Sequence, residues 1–301
     1  MRNIVMPRAT HTMLALLSTA ALSILALAGG TSLALLHAGS FTKSDDVAAA
    51  EFPFSLRTNP NIIGKAAIIF DPADGRVLFA KNSTTQLPLA SITKLMTAEI
   101  VLTSESPDTL VTMTSSALAP EGDSGFKAGD TAPLGTLLEF GLIASSNDAL
   151  QAAAESLGDA YIERMNQTAK NLGFTETYFL NPTGLDVNTD TSGAYSSAYD
   201  VARLAALFYK QHPAYFEATQ KSTATLQVGA RTLTLHATDA PLLSIPGLIG
   251  AKTGYTDLAG GNLVAVFDRE IGHPLVAVVL GSTKDGRFKD IAALISAARS
   301  Q

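Results

Sequence analysis

The chain carries a pair of β-type apolar runs near each end of its folding region, and this feature limits the possible folds most strongly. The first pair, Ala66–Phe70 and Val77–Ala80, flanks a Pro-Ala-Asp-Gly turn, which is the pattern of a β-hairpin. The stretch "NLVAVFDREIGHPLVAVVLG" repeats the pattern near the C-terminus, with Gly272 in the turn. The region between the two hairpins is mostly helical in pattern. We therefore predict an α/β (α+β) fold, with an antiparallel sheet assembled from both ends and a helical insert.

Helical patterns fill the region between the hairpins. They are "SITKLMTAEIVL", "TLLEFGLIASS", "NDALQAAAESLG", "YIERMNQTAKNLG" and "SSAYDVARLAALFYKQH". Glycines just past the third and fourth segments indicate helix ends. Ser197 and Asp200 have the spacing of a capping box at the start of the fifth. A final amphipathic pattern, "GRFKDIAALISAARS", closes the chain.

The N-terminal region predicts export. Arg2 and Arg8 precede an uncharged apolar run from Met13 to Leu36. A bilayer crossing needs roughly 20 apolar residues, and basic residues favour the cytoplasmic side, so the run is typical of an N-terminal membrane anchor. A cleaved signal peptide is the alternative, because Ala26–Ala28 has the small-residue pattern of a cleavage site. In both cases the rest of the chain is exported.

These signals divide the chain into four segments. Residues 1–12 are expected in the cytoplasm, 13–36 form the membrane anchor or signal segment, 37–61 form a tether, and 62–301 form one folded domain. The predicted location is extracytoplasmic, with the N-terminal segment holding the protein to the cell membrane, or secreted if that segment is cleaved.

Composition excludes several classes of function. The formal net charge is -6 and lysine and arginine do not cluster, so we expect no nucleic-acid partner. The chain contains no cysteine, which rules out disulfides, thiolate catalysis and cysteine-ligated metal. Its five histidines have no ligand spacing, so we expect no metal site and no cofactor. The histidines are His11, His37, His212, His236 and His273.

Three short motifs carry the chemistry. Ser91 stands three residues before Lys94 at the mouth of a helical pattern, Ser145 stands two before Asn147, and Lys252–Gly254 reads Lys-Thr-Gly ahead of a strand. A Ser-x-x-Lys alone is expected about once by chance in a chain of this length. A second one, Ser40–Lys43, lies in the tether without a helical pattern after it. The three motifs in this order, in an exported chain, are characteristic of penicillin-binding proteins and class A β-lactamases.

The residue types suit acyl transfer. A serine hydroxyl needs an adjacent base, and Lys94 lies one helical turn away, on the same face. A lysine acts as a base only if burial or a second cation lowers its pKa, and Lys252 is a candidate for that cation. The helix start offers free N–H groups for a developing oxyanion.

The remaining motif residues suit substrate contacts. Ser145 could carry a proton to the leaving group, and Asn147 could hold a substrate amide. Lys252 and Thr253 together present a cation and a hydroxyl, which suit a terminal carboxylate. Gly254 would leave room for a substrate backbone along the strand edge.

Each motif also has an ordinary structural interpretation. Ser91 alone would be read as a helix cap beside a solvated Lys94. Ser145 and Asn147 would be loop and cap residues, and Ser146 competes with Ser145 because only spacing separates them. Lys-Thr-Gly would be a turn. The joint occurrence of the three motifs favours the functional interpretation.

The chain resembles the serine D-alanyl-D-alanine carboxypeptidases, the low-molecular-weight penicillin-binding proteins, from about Lys65 to about Ala298. The matching stretches are "ASITKLMTA", "AGDTAPLGTLLEFGLIASSNDA", "NPTGLD", "YSSAYDVARLAALF", "GAKTGYTDLAG" and "PLVAVVLG". Leu89 stands where the family often has proline, and Gly261 where it often has an aromatic residue. The resemblance implies a β-lactamase/DD-peptidase-like fold, a five-stranded antiparallel sheet flanked by helices with a mainly helical insert.

The resemblance also implies a role for each motif residue. The implied catalytic set is Ser91 as acylated nucleophile, Lys94 as its base, and Ser145 with Asn147 as second element. The implied substrate-binding set is Lys252 and Thr253 for the carboxylate, beside Gly254 and Tyr255, with an oxyanion hole from the backbone N–H groups of Ser91 and Tyr255. The expected substrate is a peptidoglycan stem peptide ending in D-Ala-D-Ala, and β-lactams are the expected inhibitors. A monomer is expected.

Other enzyme classes fit less well. A class A β-lactamase also needs a glutamate that activates water, and the nearest similar stretch, Glu176–Asn181, has a different spacing. Gly122–Gly125 reads "GDSG", as in chymotrypsin-like proteases, but no histidine lies in a suitable motif. A non-catalytic penicillin-binding module would have lost a nucleophile, base or carboxylate-binding residue, and none is lost. Whether the acceptor is water or an amine, and whether cross-bridges are cut, is left open.

Overall fold

A computed structural model describes residues 60–300 of the chain. The strands are β1 (Ala66–Asp71), β2 (Arg76–Lys81), β3 (Leu87–Pro88), β4 (Leu110–Thr112), β5 (Thr131–Pro133), β6 (Tyr178–Phe179), β7 (Ala194–Ser196), β8 (Thr223–Val228), β9 (Arg231–His236), β10 (Leu248–Thr256), β11 (Gly260–Glu270) and β12 (His273–Ser282). The α-helices are α1 (Lys94–Ser104), α2 (Leu134–Ala144), α3 (Asn147–Glu155), α4 (Tyr161–Asn171), α5 (Ala198–Gln211), α6 (Pro213–Glu217) and α7 (Gly286–Arg299). Three 3-10 turns lie at Ala90–Thr93, Ala218–Gln220 and Ala240–Leu242.

The central sheet joins the two ends of the described chain. Its five strands run in the order β10-β11-β12-β1-β2, and every neighbouring pair is antiparallel. The N-terminal hairpin β1-β2 therefore pairs with the C-terminal hairpin β11-β12 through β1 and β12. This arrangement confirms the predicted five-stranded antiparallel sheet assembled from both termini.

The adjacent strands β12 and β1 are buried on both faces, and their alternate residues enter separate apolar clusters. From β1, Ile68 packs with helices of the insert on one face, while Ile69 packs beneath α7 on the other. β12 alternates in the same way, with Val278 on the insert face and Val279 on the α7 face. This period of two follows from the pleat of a strand, and it places helices on both faces of the sheet.

The predicted hairpin turns are present. Gly75 and Gly272 have φ of 76° and 79°, in the left-handed region that glycine enters without a steric penalty. The backbone N–H of Gly75 donates to the Asp71 carbonyl at 2.9 Å and closes the first turn. Both turns therefore depend on the glycine that marked them in the sequence.

The insert between β2 and β10 contains six of the seven α-helices of the described residues, as predicted. It also contains three small β ribbons that the helical patterns did not reveal: β3-β7-β6, β4-β5 and β8-β9. The strands β8 and β9 alternate apolar and polar residues around Gly229. That alternation is a hairpin signal, and it would have predicted the third ribbon.

Only half of the predicted capping box forms at α5. The Ser197 hydroxyl accepts from the Asp200 N–H at 3.1 Å, as a cap should. The Asp200 carboxylate turns away to accept from Thr177 Oγ1 and the Glu176 N–H. Asp200 therefore ties α5 to the loop before β6.

The segments predicted at 1–12 and 13–36, and nearly all of the tether at 37–61, lie outside the described residues. Their boundaries, and that of the domain at 62–301, stay predictions. Between residues 60 and 300, every helix is too short or too polar to cross a membrane.

Candidate active site

The turn that carries Ser91 is held in a strained conformation. Ala90 has φ of 50°, unusual for a residue with a side chain, and the following 3-10 turn leads directly into α1. Neither the turn nor α1 has a side-chain cap, so the interpretation of Ser91 as a helix cap is wrong. The turn instead presents the half-buried Ser91 hydroxyl beside Lys94.

Lys94 is fully buried and contacts three oxygen atoms. Its Nζ lies 2.7 Å from Ser91 Oγ, 2.7 Å from Asn147 Oδ1 and 3.0 Å from the Thr183 carbonyl oxygen. A carbonyl oxygen can only accept, so Asn147 and Thr183 each take one N–H. A neutral amine has only two N–H groups, and its lone pair is then left for the Ser91 hydroxyl.

The environment favours that neutral form. Burial lowers the pKa of Lys94 well below its usual value of 10.5, and the charge of Lys252 lowers it further. The amide of Asn147 is oriented by its other end, since Nδ2 donates to the Glu121 carbonyl at 2.6 Å. Lys94 therefore has the geometry and the electrostatics of a general base for Ser91.

The Thr183 carbonyl is positioned by the loop that begins the stretch "NPTGLD", for which the resemblance implied no role. The loop reads Asn-Pro-Thr-Gly, and Asn181 Oδ1 accepts from the Gly184 N–H at 2.7 Å. Gly184 has φ of 79°, and a Cβ there would lie 1.9 Å from the Ala90 carbonyl oxygen. The loop therefore packs directly against the Ser91 turn. The Asn-Pro and Thr-Gly pairs signalled a turn, but nothing local indicated that a backbone oxygen would reach Lys94.

Ser145 and Ser146 have different partners, and the structure separates the two candidates. Ser145, at the end of α2, has φ of 59°, and its hydroxyl accepts from Lys252 Nζ at 2.9 Å. Ser146 is the N-cap of α3: its hydroxyl accepts from the Ala149 N–H, and it lies 2.6 Å from the hydroxyl of Ser124 in the "GDSG" loop. The left-handed conformation of Ser145 turns that side chain toward the site.

Lys252 and Thr253 lie on β10, an edge strand of the central sheet, and both are buried. Besides Ser145, Lys252 Nζ contacts the Thr253 carbonyl at 3.0 Å, and Thr253 Oγ1 donates to Thr238 Oγ1 at 2.7 Å. Burial lowers the pKa of Lys252 to about 7, although Asp239 opposes the shift. Asp239 is itself buried, and burial raises its pKa to about 7.

Gly254 lies where a side chain would meet the Ser91 turn. A Cβ on Gly254 would lie 2.8 Å from the Leu89 carbonyl oxygen and 3.1 Å from the Ser91 nitrogen. The missing side chain therefore lets β10 approach the Ser91 turn, and the predicted room for a substrate backbone stays a prediction. The next residue, Tyr255, is 44% exposed, and Lys284 Nζ lies 5.2 Å from its ring centroid.

The structure joins five of the eight predicted residues into two linked groups, and the other three, Thr253, Gly254 and Tyr255, follow Lys252 on β10. Ser91, Lys94 and Asn147 are joined by hydrogen bonds, as are Ser145 and Lys252. Electrostatic coupling between the two lysines connects the groups. This arrangement combines a nucleophile, a neutral amine base, a second hydroxyl and a buried lysine on the edge strand β10.

Comparison with known proteins gives a consistent result. Residues 55–284 match the family model of the peptidase S11 D-alanyl-D-alanine carboxypeptidases. The D-alanyl-D-alanine carboxypeptidase DacF of Bacillus subtilis is 31% identical over 251 residues, which cover 79% of this chain and 62% of DacF. The chain spans less than two thirds of the length of the first curated relatives it matches.

Solved structures share the fold. Penicillin-binding protein D2 of Listeria monocytogenes, crystallised with ampicillin, aligns with a TM-score of 0.70 and 29% identity, covering 80% of this chain and 99% of that one. The Streptomyces K15 DD-transpeptidase aligns with a TM-score of 0.74 and 25% identity, covering 81% and 100%. On the family match and the curated relatives, this chain belongs to the D-alanyl-D-alanine carboxypeptidase family.

Proposed function

We propose that this protein is a serine D-alanyl-D-alanine carboxypeptidase that removes the terminal D-alanine from peptidoglycan stem peptides. The observation that carries the proposal is the set of contacts around Lys94, whose two acceptors leave its lone pair for Ser91. An amine held in this way can take the serine proton without any other base.

Acylation begins when Lys94 takes the Ser91 proton. Ser91 Oγ attacks the carbonyl carbon between the two D-alanines, and the carbonyl oxygen becomes an oxyanion. The N–H groups of Ser91 and Tyr255 are the donors proposed to stabilise it. The proton then passes through Ser145 to the departing nitrogen, the C–N bond breaks, and free D-alanine leaves.

Deacylation releases the shortened peptide. Water attacks the ester carbonyl on Ser91 while a base accepts its proton, and the ester C–O bond breaks. Ser91 regains a proton, and the peptide leaves with one D-alanine fewer. An amine in place of water would give transpeptidation, and the proposal leaves this second acceptor open.

Lys252 and Thr253 are proposed to bind the terminal carboxylate of the substrate. They lie beside Ser145 on the edge strand that approaches the Ser91 turn. A β-lactam presents a strained amide and a carboxylate in a similar arrangement, so we expect β-lactams to acylate Ser91 and inhibit the enzyme.

The position of Glu176 favours a carboxypeptidase over a class A β-lactamase. The Glu176 carbonyl accepts from Gln86, and its N–H donates to Asp200. A class A β-lactamase needs a glutamate that activates the deacylating water, and the spacing of Glu176 from Asn181 differs from the usual Glu-x-x-x-Asn pattern. A non-catalytic module is also disfavoured, because each position that the chemistry needs is occupied.

The N-terminal segment supports an extracytoplasmic location. Its apolar run and flanking arginines suit either an anchor in the cell membrane or a cleaved signal. Protease added outside intact cells should degrade the folded domain, and the size of the mature protein would separate the two fates.

The activity is tested with the full-length protein and a peptide ending in L-Lys-D-Ala-D-Ala. We expect release of one D-alanine per peptide, with no release by Ser91→Ala and none from the same peptide ending in L-Ala. Equal release by Ser91→Ala would exclude the proposed nucleophile. Absence of release by a folded wild-type protein that also leaves penicillin intact would favour the non-catalytic module.

A further inference from the structure

Arg287 is a buried cation that the proposed mechanism does not use. It is the second residue of α7 and is 6% exposed, and its Nη1 donates to the Gly254 carbonyl at 2.7 Å. Its Nε is buried without a hydrogen-bond partner, and within residues 60–300 the guanidinium forms no ion pair with a carboxylate. Its Cζ lies 4.8 Å from the Phe288 ring centroid, and among the described residues its guanidinium donates a hydrogen bond to the Gly254 carbonyl alone. Burying a cation without a carboxylate partner costs free energy, so the contact with Gly254 needs an explanation.

The Gly254 carbonyl belongs to the same peptide unit as the Tyr255 N–H. Within β10 the Ala251 N–H donates to Thr219 Oγ1, outside the sheet, so it points away from β11. N–H directions alternate along a strand, and the register is regular from Gly250 to Thr256. The Tyr255 N–H, four residues beyond Ala251, therefore also points to the free edge.

The Ser91 turn packs against β10 at Gly254. A Cβ on Gly254 would lie 3.1 Å from the Ser91 nitrogen, so the peptide that follows Gly254 borders the Ser91 turn. A trans peptide directs its C=O and N–H to opposite sides. Arg287 therefore binds the carbonyl end of the Gly254–Tyr255 peptide, and the N–H end of the same peptide lies near the Ser91 turn.

We propose that Arg287 is a positioning residue, which fixes and polarises the Gly254–Tyr255 peptide so that the Tyr255 N–H stabilises the oxyanion. The proposal rests on the proposed acyl transfer at Ser91. A cation on the carbonyl oxygen withdraws electron density from the amide and makes its N–H a stronger donor. The effect is largest in the transition state, because negative charge on the substrate oxygen develops there.

The same bond fixes the distance between the two proposed donors. β10 is an edge strand, and within residues 60–300 it pairs with β11 alone in the central sheet. Arg287 ties Gly254 to α7, which packs beneath the sheet, while Gly254 itself lies against the Leu89–Ser91 turn. The N–H groups of Ser91 and Tyr255 are thus held in one preorganised pair.

The test compares Arg287→Met, Arg287→Gln and Arg287→Lys with Lys284→Met as the matched control. Lys284→Met removes an equal charge three residues away, beside the Tyr255 ring, without touching the Gly254 carbonyl. The readouts are kcat and KM for D-alanine release, the affinity for a peptide boronic acid that forms a tetrahedral adduct with Ser91, and the thermal midpoint.

We expect Arg287→Met to lower kcat about 10-fold or more, since a donor is weakened rather than removed, with KM changed less than about twofold. The boronate affinity should fall by the same factor. Arg287→Lys should recover part of both losses, Arg287→Gln should recover less, and Lys284→Met should stay near wild type. If Arg287→Met does not fold, the comparison of Arg287→Gln with Arg287→Lys carries the test.

Three results would overturn the proposal. They are a loss in Arg287→Met that appears only in KM, an unchanged boronate affinity, and an equal loss in Lys284→Met. Failure of the wild-type protein to release D-alanine and to bind the boronate would instead reject the proposed function. The two failures are therefore distinguishable.

Discussion

Replacing Gly184 by alanine is expected to slow the acylation of Ser91, although Gly184 touches no substrate. The new Cβ would lie 1.9 Å from the Ala90 carbonyl oxygen, where real Cβ atoms keep at least 3.0 Å, so the loop must retreat by about 1 Å. The Thr183 carbonyl, one residue earlier, would retreat with it. Its 3.0 Å contact with Lys94 Nζ would then exceed hydrogen-bond distance.

The size of the effect follows from that contact. Lys94 becomes an ammonium as it takes the Ser91 proton, so the bond to Thr183 strengthens in the transition state. A hydrogen bond to a charged group contributes about 1.5–3 kcal/mol, which corresponds to acylation slower by about 10- to 150-fold. Stability should fall as well, by about 1–2 kcal/mol for a left-handed alanine and about 1–3 kcal/mol for the overpacking.

The assay measures the acylation rate constant with a fluorescent penicillin, alongside urea unfolding. Gly173→Ala is the matched control, because Gly173 has φ of 70° and nothing lies within 4 Å of its added Cβ. This control should lose only the conformational part of the stability and should acylate at the wild-type rate. Equal acylation rates in Gly184→Ala and Gly173→Ala would refute the claim that Thr183 positions Lys94.

Three further outcomes are expected. The rate of D-alanine release, plotted against pH, should be bell-shaped. It should rise as Lys94 loses its proton and fall above about pH 7 as Lys252 loses its proton. A substrate without a free carboxylate should lack the falling limb, because that limb reports carboxylate binding. Asp239→Asn should raise the free energy of unfolding, because burial raises the folded pKa of this carboxyl to about 7 and its ionisation opposes folding. The gain should grow from about pH 4 to about pH 7 and stay below about 4 kcal/mol. A gain that is independent of pH in urea titrations would contradict this. Ser145→Ala should lower kcat with little loss of stability, whereas Ser146→Ala should cost about 1 kcal/mol of stability as a lost helix cap; the reverse assignment would show that the two serines were exchanged.

Local patterns predicted the parts of the fold that depend on nearby residues. The hairpins could be read because apolar runs and the glycines at 75 and 272 are contiguous in sequence. The ends of α3 and α4 were marked by glycines for the same reason. The small ribbons and the five-residue helix α6 were missed. The strands of two ribbons are two or three residues long and pair across long intervening stretches of chain, whereas β8 and β9 are adjacent and carry a hairpin signal.

The site was predictable where side chains form motifs and not where backbone atoms act. Ser91 and Lys94 carry a spacing, whereas the Thr183 carbonyl has no sequence signature. The choice between Ser145 and Ser146 depends on a left-handed conformation at the end of α2, which spacing does not determine. Arg287 lies 33 residues from its partner Gly254, so only the fold brings them together.

The most direct test of the central claim is intact-mass spectrometry of the full-length protein with penicillin, beside Ser91→Ala. We expect one penicillin per molecule of wild-type protein and none in the variant, because Ser91 Oγ is the acylated atom. Penicillin hydrolysed without an accumulated adduct would indicate a β-lactamase instead. A folded wild-type protein that forms no adduct and leaves penicillin intact, or an adduct that persists in Ser91→Ala, would contradict the assignment of Ser91 as the nucleophile.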